Sequence, residues 1–200
     1  MPALIANYQK KQTAVQLKKA YSTFAQALVQ SQYENGDSSE WSATEASSSY
    51  DDNLKYFETY WKPYLKVIKI CKTMKDCGYS SNNGYGYLTN KDAAVYGTYN
   101  KVPGFIYGDG TYAYIRPFGW NDVKLQLLSI DINGPKKPNI IGKDVFQFKI
   151  NTQKGVISGY YGDNDKDLCT KEQINTSEAY RACGGKIMSD GWEIKDDYPW

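Results

Sequence analysis

Residues 2–31, PALIANYQKKQTAVQLKKAYSTFAQALVQS, contain no glycine and no proline after Pro2. That absence constrains the fold more than any other feature of the chain. Ala, Leu, Gln and Lys dominate the stretch, and all favour helix. Leu17, Tyr21, Phe24 and Leu28 recur at alternating steps of four and three, with Ala14, Ala20, Ala25 and Ala27 beside them. This spacing makes one apolar face of an α-helix. Lys10, Lys11, Lys18 and Lys19 fall largely off that face. The helix would be roughly 45 Å long at 1.5 Å per residue. Its apolar, uncapped beginning, Met1-Pro2-Ala3-Leu4-Ile5, reads as the remainder of a longer apolar helix.

The net charge of +2 indicates neither a nucleic-acid-binding protein nor a strongly acidic one. Arginine occurs only at Arg116 and Arg181, which argues further against recognition of a phosphate backbone. The 19 tyrosines suit β-rich packing, and are compatible with binding a sugar or a surface. The four cysteines fall into two local pairs, Cys71 with Cys77 and Cys169 with Cys183. With no histidine, a zinc site would have to be all-cysteine, and neither spacing is the usual C-x-x-C. The expectation is therefore disulfides Cys71–Cys77 and Cys169–Cys183 and an oxidising compartment. The second would contribute roughly 3 kcal/mol on the chain-entropy account. No signal peptide and no uninterrupted apolar run of about 18 residues accompanies this exported character.

Residues 33–50 are polar and serine-rich, and Asn35-Gly36 should stop the helix. Asp51-Asp52 should open a second helix, with Leu54, Phe57, Tyr60, Trp61 and Leu65 on one face and Pro63 ending or kinking it. Residues 64–71 read equally as helical turn or strand, and residues 78–100 as irregular. Strands are then expected at 105–107, 111–115, 123–132, 145–150 and 156–161, the first two flanking the turn Gly108-Asp109-Gly110. Ser177-Glu178 could cap a short helix reaching about Met188, which Gly184-Gly185 would weaken. The organisation is one globular domain in four parts: helix 1–32, connecting region 33–103, antiparallel sheet 104–162 and C-terminal disulfide region 163–200. Helices followed by strands make the class α+β, with a long helix on an antiparallel sheet of about four to five strands.

This order resembles a type IV pilin or a type II secretion pseudopilin, of the prepilin-type N-terminal methylation family. Pro2-Ala3-Leu4-Ile5-Ala6-Asn7-Tyr8 looks like the junction between the two halves of a pilin helix, and Gln12 to Tyr21 like its amphipathic half. The segment Asp131-Ile132-Asn133-Gly134-Pro135-Lys136-Lys137-Pro138-Asn139 with Gly142, Asp144 and Phe146, and the ending Asp190-Gly191-Trp192-Glu193-Ile194 to Trp200, are similar to stretches of that group. The resemblance implies a filament subunit that is not an enzyme and acts by self-association. A membrane-embedded half-helix would precede Pro2, anchoring the precursor in the inner membrane as a single-pass protein. The mature subunit would lie at the cell surface or in a periplasmic filament. Leu17, Tyr21, Phe24 and Leu28 would pack on the head, while Leu4, Ile5 and Tyr8 would continue towards neighbouring subunits.

Some pseudopilins bind calcium in a loop of the head, and two sets of oxygen ligands invite that comparison: Asp131, Asn133 and Asp144, and Asp163, Asp165 and Asp167. Neither follows the twelve-residue EF-hand pattern, and lysines intrude in both, so turns are the plainer reading. No other cofactor is indicated. No histidine, Walker or G-x-S-x-G pattern supports catalysis. Tyr79, Tyr85, Tyr87, Tyr96 and Tyr99 could stack on a glycan, which would make the chain a secreted or pilus-tip adhesin, or they could pack a loop over the sheet.

Overall fold

The structure, a computed structural model, describes residues 2–42, 48–80, 84–95, 101–117, 124–176 and 178–200. Helix α1 runs Pro2–Asn35. It ends at Gly36, whose φ of +81° is the left-handed conformation that closes a helix and that glycine adopts without a Cβ clash. Helix α2, Tyr50–Tyr60, begins at a capping box in which Ser49 and Asp52 satisfy each other's backbone N–H groups. A 3₁₀ turn over Lys62–Tyr64, carrying Pro63, follows it. Two short helices lie near the C-terminus, α3 over Asp165–Leu168 and α4 over Cys183–Ser189.

The class is α+β, but the sheet is larger than the sequence suggested. The strands are β1 Val67–Cys71, β2 Tyr85–Tyr87, β3 Asn90–Val95, β4 Gly104–Tyr107, β5 Tyr112–Pro117, β6 Leu125–Asp131, β7 Ile140–Ile141, β8 Val145–Asn151 and β9 Val156–Gly159. They form one sheet in the order β1-β4-β5-β6-β8-β7-β2-β3, with β9 also pairing β8. The five expected strands are present as β4, β5, β6, β8 and β9, paired antiparallel in succession. Four more extend the sheet, and the pairs β2–β7 and β7–β8 are parallel, so the sheet is mixed and not purely antiparallel. β7 is two residues long, too short to show a period of two. β2 and β3 lie where an irregular segment was expected, because Gly, Tyr and Asn obscure the alternation there. Residues 64–71 resolve as a turn and then β1. Val123, expected to begin β6, lies outside the described residues, as does Ser177, the expected cap. The helix expected after Ser177 is a 3₁₀ turn over Ala179–Ala182 that continues into α4.

Successive strand residues point to opposite faces, so the register sorts the side chains. Phe105, Tyr107, Ala113, Ile115, Leu128, Ile130, Phe146, Phe148 and Ile150 share the first face. Helix α1 lies on it. Phe24 meets the rings of Phe105 and Tyr107 at 6.2 and 5.8 Å, and Tyr21 meets Phe148 at 5.2 Å. Leu17, Phe24 and Leu28 are buried together with Ala14, Ala20 and Ala27. Tyr21 is half-buried, and its hydroxyl donates to the Ile157 carbonyl of β9 at 2.8 Å. The second face carries Tyr112, Tyr114, Ser129, Asp131 and Gln147. It is a polar interior, and every one of these side chains is buried.

Gly184 and Gly185 have a steric reason to interrupt α4. A Cβ on Gly184 would lie 2.9 Å from Phe148 Cζ and 3.0 Å from the Gln147 carbonyl of β8. One on Gly185 would lie 1.9 Å from Asp165 Oδ2. The weaker helix is the condition for close approach to the sheet.

Candidate assembly surface

A helix of 3.6 residues per turn places each position about 100° from the last. On that basis Leu4, Tyr8, Val15, Val29 and Tyr33 fall within about 60° of one another, roughly opposite the face that α1 buries on the sheet. All five are exposed, Leu4 by 77%, Tyr8 by 61%, Val15 by 60%, Val29 by 64% and Tyr33 by 91%. Ile5, 57% exposed, lies about 60° beyond this stripe. Helix α1 therefore carries two apolar stripes, one consumed by the head and one facing outward. The sequence pointed to Leu4, Ile5 and Tyr8 but missed Val15, Val29 and Tyr33, because Lys11, Lys18 and Ser22 interrupt the outer stripe. The 7-residue spacing Tyr8, Val15, Ser22, Val29 was the available signal. The first buried residue of α1 among those whose burial is described is Ala14.

The four cysteines pair as Cys71–Cys77 and Cys169–Cys183. The first ties the end of β1 to the turn after it, and the second ties α3 to α4. The disulfides fit an oxidising compartment.

The structure brings Asp131, Asn133 and Asp144 together and separates the other acidic set. Asp131 is buried and accepts from the Tyr79 hydroxyl at 2.6 Å. Burial, then the charge of Asp144, pushes its carboxyl well above the usual range. Asp144 accepts from the backbone N–H groups of Asn139 and Ile140 at 2.8 and 2.6 Å. Burial pushes it up as well. Asp144 thus holds the turn into β7, the structural reading of this loop. Asp163 and Asp167 are exposed, whereas Asp165 is buried. Among the described residues no cluster of three or more His, Cys, Asp or Glu side chains could hold a metal ion.

Tyr79 and Tyr85 are buried and face the sheet's second face, with Tyr79 at 6.1 Å from Tyr85 and 5.1 Å from Tyr112. Tyr87 is half-buried and stacks on Tyr180 at 4.4 Å. Tyr96 and Tyr99 lie outside the described residues. The described tyrosines of this segment are packing groups, not an open stacking platform.

Two buried charged groups were not singled out by sequence for the role they play. Asp165 accepts from the Tyr161 N–H at 3.0 Å through Oδ1. Its Oδ2 occupies the space that a Cβ on Gly159 or Gly185 would need, at 1.7 and 1.9 Å, and has no hydrogen-bond partner. Burial pushes this carboxyl up to about 6. Lys186 is buried and pairs with Asp190 at 2.9 Å and Asp197 at 2.8 Å. Burial opposes its charge, but the bonds to Asp197 and Asp190 hold its pKa above the ordinary value. With the Tyr198 hydroxyl donating to the Gly142 carbonyl, this pairing fastens the C-terminal segment to the head.

No helix among the described residues is long and apolar enough to cross a membrane. The model of a family of unknown function (DUF6613) matches residues 3–200, and the chain belongs to that family. No curated protein and no solved structure matches the chain.

Proposed function

We propose that this member of the DUF6613 family is a structural subunit of a type IV pilus-like or type II secretion-like filament, and that it works by assembly through α1. The outward apolar stripe of α1 is the observation that carries the reading. Monomeric proteins scatter single exposed apolar residues, whereas Leu4, Tyr8, Val15, Val29 and Tyr33 line up along one side of a 34-residue helix, with Lys11, Lys18 and Ser22 between them, an alignment that suits docking against another helix. The opposite stripe fixes the helix to the head, so a helix that docks elsewhere positions the whole subunit. The resemblance of residues 2–21, 131–146 and 190–200 to pilin-like sequences supports the same role, with Leu4, Ile5 and Tyr8 at the assembling end and the mature protein at the cell surface or in a periplasmic filament.

Antibodies to this domain, applied to cells that carry the gene, test the proposal. The expected result is gold label along sheared surface or periplasmic filaments. N-terminal sequencing of the sheared protein should then give an apolar methylated segment ahead of Pro2. Label confined to a dispersed, unassembled protein would overturn the reading.

A further inference from the structure

A groove of about 450 Å³ lies between one side of α1 and the loop joining β6 to β8, with Trp200 on its lining. We propose that it binds an acidic oligosaccharide. Its volume falls in the range of small-ligand sites, roughly 300–1,000 Å³.

The α1 wall consists of Gln9, Thr13 and Gln16, at successive steps of four and three, so their side chains stand in a row. This row lies about 130° around the helix from the outward apolar stripe, so the two surfaces do not overlap. None of these three side chains is engaged in a hydrogen bond among the described residues, so their amide and hydroxyl groups are available to sugar hydroxyls. The opposite wall brings Lys137 and Lys143 to the groove. Neither forms an ion pair among the described residues. Among the described residues the one side-chain carboxylate on the lining, Asp144, already accepts two backbone N–H groups, and neither lysine pairs with it or with the terminal carboxylate of Trp200. The two ammonium groups are therefore open to an anion placed in the groove.

Trp200 supplies an apolar ring and Pro138 a second apolar surface. The Lys143 ammonium sits 5.6 Å from the indole centroid, so a cation and an aromatic ring stand together on the lining. A pyranose carrying a carboxylate matches this pairing, with its C–H face on the indole and its carboxylate on Lys143 and Lys137. The row of amides matches the hydroxyls of the adjoining unit. Among the described residues no arginine lines the groove, so planar, two-pronged recognition of a phosphate is not what they offer.

The test is titration of the intact domain with tri-galacturonate, followed by NMR shifts or calorimetry, with maltotriose as the neutral control and glutarate as the small dianion. Saturable binding of tri-galacturonate is expected, with none of maltotriose. Gln16→Ala, an exposed change on the helix surface, and Lys143→Gln should each weaken binding about tenfold or more while leaving the melting temperature unchanged. Trp200→Ala should abolish it. Absence of saturable binding overturns the proposal. Equal binding of glutarate, or tri-galacturonate binding indifferent to Gln16→Ala and Trp200→Ala, also overturns it by reducing the site to nonspecific charge. The measurement uses unassembled protein and leaves the filament reading untouched whichever way it falls.

Discussion

Replacing Asp165 by asparagine isolates the cost of a buried charge. Asp165 is 1% exposed, and only one of its carboxylate oxygens has a hydrogen-bond partner. Burial raises its carboxyl from 3.8 to about 6, opposed by the Tyr161 N–H and the charge of Lys149. The folded pKa is therefore higher than the unfolded one, and between them the folded state holds the extra proton. Stability from this group is full below the unfolded value of 3.8, is lost as pH rises through about 6 and stays low above it. The shift corresponds to about 3 kcal/mol between the two limits. An asparagine side chain would keep the shape and the acceptor for Tyr161 but could not ionise. The assay is urea unfolding followed by tryptophan fluorescence, for both proteins, from about pH 3 to pH 8. Other titrating groups, Asp131 and Asp144 among them, contribute equally to both and cancel in the difference. The stability of Asp165→Asn relative to the native chain should rise by about 3 kcal/mol across that range, with most of the change between about pH 4 and pH 6. A difference that stays flat with pH would show that Asp165 ionises without penalty, and the account of its burial would be wrong.

Gly185→Ala should destabilise by about 1–3 kcal/mol, measured by urea midpoint, although alanine favours helix by about 1 kcal/mol, because its Cβ would fall 1.9 Å from Asp165 Oδ2. A double change of Cys169 and Cys183 to alanine should cost roughly 3 kcal/mol in urea unfolding, and the same change at Cys71 and Cys77 less, since the sequence separations are 14 and 6. Leu17→Asp should unfold the head, at a cost above about 4 kcal/mol seen as loss of the cooperative thermal transition, because Leu17 is fully buried. Leu4→Asp should leave the thermal midpoint unchanged and remove filament assembly; a loss of stability as large as that of Leu17→Asp would mean that the outer stripe also belongs to the head.

Much of the scaffold was legible because local pattern and tertiary demand coincide there. The step of three and four through Leu17, Tyr21, Phe24 and Leu28 is the stripe that α1 buries. The alternation through β4, β5, β6 and β8 is the alternation of the sheet's two faces. Legibility failed where an element is short or serves two purposes. β7 has two residues and cannot display a period. α3 is one turn, so nothing local says that Asp165 points inward while Asp163 and Asp167 point out. Gly184 and Gly185 read as helix breakers because propensity counts the cost of glycine and not the approach to β8 that glycine permits.

The second face of the sheet accounts for four of the 19 tyrosines. Tyr79, Tyr85, Tyr112 and Tyr114 all fill space there. A phenol buries an aromatic ring yet brings a hydroxyl that can meet a buried polar neighbour, as Tyr79 meets Asp131. Phenylalanine in place of Tyr79 would supply the ring but leave Asp131 without that donor, at a cost of roughly 1–3 kcal/mol for a buried polar group left unsatisfied. Asp131 in turn lies in the register of β6 beside Tyr112 of β5, so its inward direction follows from the same alternation that buries Ile130 on the opposite face. Asp131, which sequence offered as a calcium ligand, is thus set by its position in the pleat among buried tyrosines, with the Tyr79 hydroxyl donating to it.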